Sequence, residues 1–84
     1  MSRYRTKTGD CEVDAEQWRP GDEEQASRFG ITDYRMVKGQ MSGQISTREG
    51  AMEILPGDWI VTEDAGRIIC LPKTFEANYE PVPA

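Results

Sequence analysis

Chemistry in this chain has to come from carboxylates, cations, two thiols (Cys11 and Cys70) and two indoles (Trp18 and Trp59), because the sequence contains no histidine. That absence removes the commonest general base near neutral pH and the commonest metal ligand, and with them the Ser-His and Cys-His nucleophile schemes. Carboxylate pairs remain. Asp58 and Asp64 would be the pair to hold Mg²⁺ or to share acid and base roles. Each, however, lies in a turn sequence, Pro56-Gly57-Asp58 or Glu63-Asp64-Ala65-Gly66, where bonding to neighbouring backbone explains an aspartate. No G-x-x-x-x-G-K-S/T or G-x-G-x-x-G phosphate loop is present. The expectation is a non-enzymatic protein with no cofactor and no metal.

Binding is the better reading of the charges. Fifteen acids against ten bases give a net charge of -5, whereas a phosphate backbone calls for a basic surplus, so no specific nucleic-acid partner is expected. The excess is local: Asp10, Glu12, Asp14, Glu16, Asp22, Glu23 and Glu24 fall in one stretch whose single base is Arg19. Such runs ordinarily keep a surface solvated. They also define the candidate partner-binding residues: Glu12, Asp14 and Glu16 as an acidic docking row for a basic protein, with Trp18 and Arg19 at its end. Trp18, at a strand end beside Arg19, is expected to be the exposed indole. With Arg19 and the basic N-terminal residues it would offer stacking and phosphate contacts to a small molecule or nucleotide, the alternative class of ligand. Trp59 sits in the most apolar strand and is expected in the core.

These residues must be positioned by 84 residues, enough for a single domain (1–84) that buries roughly 60 to 65% of its unfolded surface. Homo-oligomerisation would help so small a core. Eight glycines and five prolines predict frequent turns. The organising stretch is Met52 to Leu71, where three apolar runs cut by two turn sequences read as a β-meander. Upstream, Cys11 to Trp18 alternates, with Cys11, Val13 and Ala15 on one face and Glu12, Asp14 and Glu16 on the other. Asp22 N-caps a helix to Phe29, with Ala26 and Phe29 as its apolar stripe and Gly30 as its stop. Tyr34 to Lys38 reads as a strand, with Gly39 and Gly43 bracketing a turn. Gln44 to Arg48 and Ala51 to Leu55 flank a Glu49-Gly50 hairpin link that would set Ile45 and Thr47 against Met52 and Ile54.

Residues Ser2 to Thr8 read as a tail or a first edge strand. Pro72 to Asn78 forms a helical turn on which Phe75 and Tyr79 plug one end, and Tyr79 to Val82 is extended, with Pro81 and Pro83 barring a central position. The expected fold is α+β, mainly β: a small bent antiparallel sheet or open barrel of about five to six strands with one short helix and a C-terminal helical turn. One core is expected, built from Trp59, Val61, Ile68, Cys70, Ile54, Phe29 and Phe75. Cys11 and Cys70 are expected to be small buried groups in a reducing compartment. No apolar run approaches the ~18 residues of a membrane span, and Met1 is followed at once by polar and basic residues, so no membrane partner and a cytoplasmic location are expected.

Two stretches carry a resemblance. Glu53-Ile54-Leu55-Pro56-Gly57-Asp58-Trp59-Ile60-Val61, followed by Cys70-Leu71-Pro72-Lys73-Thr74-Phe75-Glu76-Ala77-Asn78-Tyr79-Glu80-Pro81-Val82, is similar to the ending of small uncharacterised proteins of tailed bacteriophages and prophages. Tyr4-Arg5 and Asp14-Ala15-Glu16-Gln17-Trp18 resemble that family's beginning, with Asp14 for its usual Glu and Glu16 where an apolar residue is common. Residues Pro20 to Ser46 match only in layout. The resemblance implies a phage origin, a bacterial host cytoplasm and no particular activity. The expected function is a phage accessory protein that binds a host or phage protein.

Overall fold

In chain order the elements are strands β1 (Ser2–Thr6) and β2 (Glu12–Gln17), helix α1 (Glu23–Phe29), strands β3 (Thr32–Val37), β4 (Gln40–Thr47), β5 (Gly50–Ile54), β6 (Trp59–Glu63) and β7 (Gly66–Cys70), helix α2 (Pro72–Asn78) and strand β8 (Tyr79–Pro81). The structure is a computed structural model that describes residues 2–82; Pro83, expected to bar a central strand position, lies outside them. The α+β, mainly-β class holds. The strands form two antiparallel sheets, one of five strands in the order β7-β6-β2-β1-β8 and one of three in the order β3-β4-β5.

The expected meander is broken at its first turn. β5 pairs with β4, and β6 leaves it to pair with β2 and β7. The turn residues explain the switch of sheets. Asp58 accepts a hydrogen bond from the Leu55 N–H at 2.9 Å, while Gly57 N–H and Asp58 C=O are held by the Trp18 backbone at 3.3 and 2.9 Å. Pro56-Gly57-Asp58 is thus tied to the end of β2 instead of folding β6 back on β5.

β1 is likewise neither tail nor edge. It lies between β2 and β8, and the Pro81-containing β8 takes the edge, where a missing N–H costs no ladder bond. Gly43 is not in a turn either. It lies inside β4, where a Cβ would stand 2.7 Å from Ile31 Cγ2, so the helix-exit residue packs directly on its backbone. The β4–β5 turn is Arg48–Glu49, one residue earlier than expected; Ile45 does oppose Met52, but Thr47 opposes Gly50 and Ile54 opposes Gly43.

The single expected core is two cores on opposite faces of the five-stranded sheet. Trp18, Phe29, Ile31, Ile45, Ile54 and Ile60 form the first, joining α1 and the three-stranded sheet to β6, with Ile69 of β7 packed against it. Val13, Ala15, Val61 and Phe75 form the second, under α2, with Tyr4, Trp59, Ile68, Cys70 and Tyr79 partly buried around them. The uninterrupted apolar run Trp59-Ile60-Val61 is the reason. A strand covered on both faces needs apolar residues at every position, and alternation sends Ile60 to one core and Trp59 with Val61 to the other.

The helix forms as expected. The Asp22 side chain accepts from Gln25 N–H at 3.0 Å, Glu23 and Glu24 occupy the first turn, and Gly30 closes it in the left-handed conformation at φ 66°.

Candidate interaction surface

The acidic residues of β2 face the same side of the sheet as Ile60, and each is answered by a cation. Arg3 donates to Asp14 and Glu12, both at 3.3 Å, and Arg5 of the same strand donates to Glu80 of β8 at 2.8 Å. Glu16 accepts from both terminal nitrogens of Arg28 on α1, which holds its carboxyl below the usual range against the opposing effect of burial. The row is thus ion-paired from two sides, Glu12 and Asp14 across the strands to Arg3 and Glu16 to Arg28 of the helix. A cleft of about 400 Å³ beside it is lined by Arg3, Glu12, Asp14, Arg48 and Glu63, again of both signs, with Arg48 paired to Glu63 at 3.4 Å. With the exposed Asp64 also in its lining, the cleft sets four carboxylates against two arginines, and most of the negative charge a basic partner would meet there is already ion-paired.

Trp18 is the opposite of the expectation. It is only 2% exposed and among the largest buried side chains of the first core, so no base or ring can stack on it. Its burial follows from the corner it occupies. Gln25, fully buried, accepts from Arg19 N–H at 2.9 Å and donates to Gln17 C=O at 2.9 Å and to Glu16, which clamps the end of β2 onto α1. Arg19 remains exposed, paired with Asp22 at 3.1 Å. Of the five predicted binding residues, Glu16, Trp18 and Arg19 therefore meet at this corner as structural members, while Glu12 and Asp14 lie further back along β2 against Arg3. Gln25 was invisible as such a member, since a glutamine in a polar helix sequence carries no signal of burial.

The remaining candidates resolve in the same direction. Asp58 is buried and spends its carboxylate on the Leu55 N–H; burial raises its pKa. Asp64 is exposed in the β6–β7 turn, and among the described residues no group of three or more acids or thiols could hold a metal ion. Cys11 is exposed and Cys70 half-buried, both free, so the expectation of two buried thiols holds for neither fully. Trp59 is half-buried rather than central, and its ring stacks on Phe75 at 4.0 Å, with Tyr4 edge-on at 5.3 Å.

What the described surface does leave unsatisfied is apolar. On the core-facing side of the three-stranded sheet, cross-strand register aligns Tyr34, Met36 and Met41 with the buried Ile45 and Ile54, yet their exposures are 48%, 64% and 37%. Between this hairpin and α1 lies a cleft of about 450 Å³ lined by Gly21, Asp22, Glu23, Ala26, Tyr34 and Met41. Its floor is apolar and its rim acidic. The signal was present in lengths. A seven-residue helix spans roughly 10 Å while an eight-residue strand spans roughly 26 Å, so α1 cannot cover the sheet that packs on it.

No family model, curated protein or solved structure matches the chain. The class that fold and surface define is a small α+β domain of two antiparallel sheets. Its charged face is largely ion-paired, and one apolar hairpin face stands open. Among its described residues no helix is long and apolar enough to cross a membrane.

Proposed function

We propose that this protein is a non-enzymatic binding module of phage origin, acting in the bacterial cytoplasm on a host or phage protein, and that it binds with the β3–β4 hairpin face. The observation that carries the reading is the contiguous exposed set Tyr34, Met36 and Met41 beside the cleft at α1. Exposed apolar groups gathered on one face mark interaction sites, and aromatic and methionine side chains are the types enriched there. Methionine adds adaptability, since its unbranched chain fits irregular partners. Glu23 at the rim favours a partner segment in which an apolar side chain is followed by a cation.

The test is retention of a protein from bacterial lysate by the tagged chain, with variants as internal controls. Tyr34→Ser with Met41→Ser should weaken the retained complex at least ~30-fold, as loss of ~2 kcal/mol from a hot spot would. Reversal of Glu12 and Asp14 to lysine should leave retention unchanged. The opposite pattern would return the site to the acidic strand.

A further inference from the structure

We infer that β5 is the strand through which two copies of this chain pair, antiparallel, about a two-fold axis at Met52. Open sheet edges invite pairing unless something blocks them. β8 has three residues and ends in Pro81. On β7, the Arg67 carbonyl accepts from Arg48 N–H at 3.1 Å, so the β4–β5 turn caps that edge. β3 carries a register shift, with Asp33 at φ 54°, and bulges of this kind twist an edge away. β3 also repels itself. Its Val37 and Arg35 bond inward to β4, so Tyr34 and Met36 point outward, and pairing those with a second copy sets Arg35 directly opposite Arg35.

β5 has none of these defences. It contains no proline, bulge or lysine, and Gly50, Ala51, Met52 and Glu53 are all exposed. Thr47 and Gly50 close a two-residue turn and so form a hydrogen-bonded pair. By alternation Gly50, Met52 and Ile54 bond inward to β4, leaving the N–H and C=O of Ala51 and Glu53 pointing out, and among the described residues no hydrogen bond reaches them. The next outward N–H, that of Leu55, is taken by Asp58. Only one register satisfies both free residues at once. Ala51 pairs with Glu53 of the second copy, Glu53 pairs with its Ala51, and the two Met52 residues, 41% exposed in one copy, meet at the axis. No like charges stand directly opposite, and a small methyl group faces each carboxylate.

Three residues per copy bury far less than the ~1,600 Å² of a standard specific interface, so the dimer is weak and dissociates on dilution. The residues involved are separate from the hairpin face of the proposed function, and either reading can fail alone. Sedimentation equilibrium of the full chain from about 10 µM to 1 mM should show reversible dimerisation. Ala51→Lys places a cation opposite Glu53 in both pairs and should tighten the dimer about three- to tenfold; Ala51→Glu should weaken it by a similar factor. Ala51→Pro removes an outward donor while sparing every bond to β4 and should leave a monomer with a cooperative melt. A wild-type chain that stays monomeric throughout overturns the inference, as does a dimer that Lys and Glu at position 51 affect alike. Should the proline variant fail to fold, the opposite responses to the two charges still decide.

Discussion

In the five-stranded sheet β6 is covered on both faces and the acids of β2 each have a cation in reach, whereas in the three-stranded sheet the apolar face runs past its helix into solvent. The contrast has a physical origin in what each sheet is given to pack against. β6 sits between two covering layers and has Trp59-Ile60-Val61 to serve them both. β3 and β4 share one short helix, and only Ile45 and its neighbours nearest β6 come under it. The first sheet therefore supplies stability and the second supplies surface, and the two meet at Trp18, Gly43 and Ile31.

The largest expected effect lies at that meeting point. Trp18→Ala should cost about 3 to 5 kcal/mol, most of the stability of a domain this size, and abolish a cooperative denaturant transition. Trp59→Ala, which removes a half-buried ring from the aromatic stack on Phe75, should cost less and leave a measurable transition. If Trp59→Ala proves the more damaging, the first core is not the one joining the sheets. Next in size is Gly43→Ala. Its Cβ would stand 2.7 Å from Ile31 Cγ2, and Ile31 is buried and cannot swing away, so about 1 to 3 kcal/mol should be lost in a urea melt.

Acid titration sharpens the comparison further. Because Arg28 holds the folded-state pKa of Glu16 below its unfolded value, the pair stabilises fully above about pH 4.3 and its contribution fades as pH falls through the lower folded value. Asp58 has the opposite sign: burial raises its pKa, so its carboxylate costs stability once pH rises through that value. Glu16→Gln should flatten the acid limb of stability against pH. Asp58→Asn keeps an acceptor for the Leu55 N–H and should hold or raise stability at pH 7, as thermal melts across pH would show.

Much of the fold was legible because its signals are local. Asp22 and Gly30 bound α1, Pro72 to Asn78 became α2, and the alternation of Val13 and Ala15 against Glu12, Asp14 and Glu16 gave β2 its faces. The two-sheet arrangement was not legible, since a Pro-Gly-Asp turn looks the same whether it folds a strand back or hands it to another sheet. Only the Trp18 backbone, 39 residues from Gly57, decides that. The same long-range contact hid the site. Trp18 reads as exposed when taken as the end of a strand, and Gln25, which buries that end, looks like any helix-surface residue. Tyr34 and Met36 were read as strand residues and Met41 as part of a turn between Gly39 and Gly43, and the exposure of all three follows only from the mismatch between strand and helix length.

The smallest expected effect is the one that separates stability from surface most cleanly. Tyr34, Met36 and Met41 lie on the core-facing side of their sheet, so a reader of the alternation alone would expect serine there to open cavities and cost several kcal/mol. Their exposures, 64% for Met36 above all, say that little apolar area returns to water when they are removed. Surface substitutions of this kind change stability by about 0.5 kcal/mol or less. Met36→Ser should therefore melt within a few degrees of the parent, and Tyr34→Ser with Met41→Ser only slightly further down. A collapse of stability in Met36→Ser would mean that α1 or another layer covers the hairpin face, and the interaction surface would have to be sought elsewhere. An unchanged melt together with lost partner retention would show a face kept apolar for contact, at no benefit to the isolated fold.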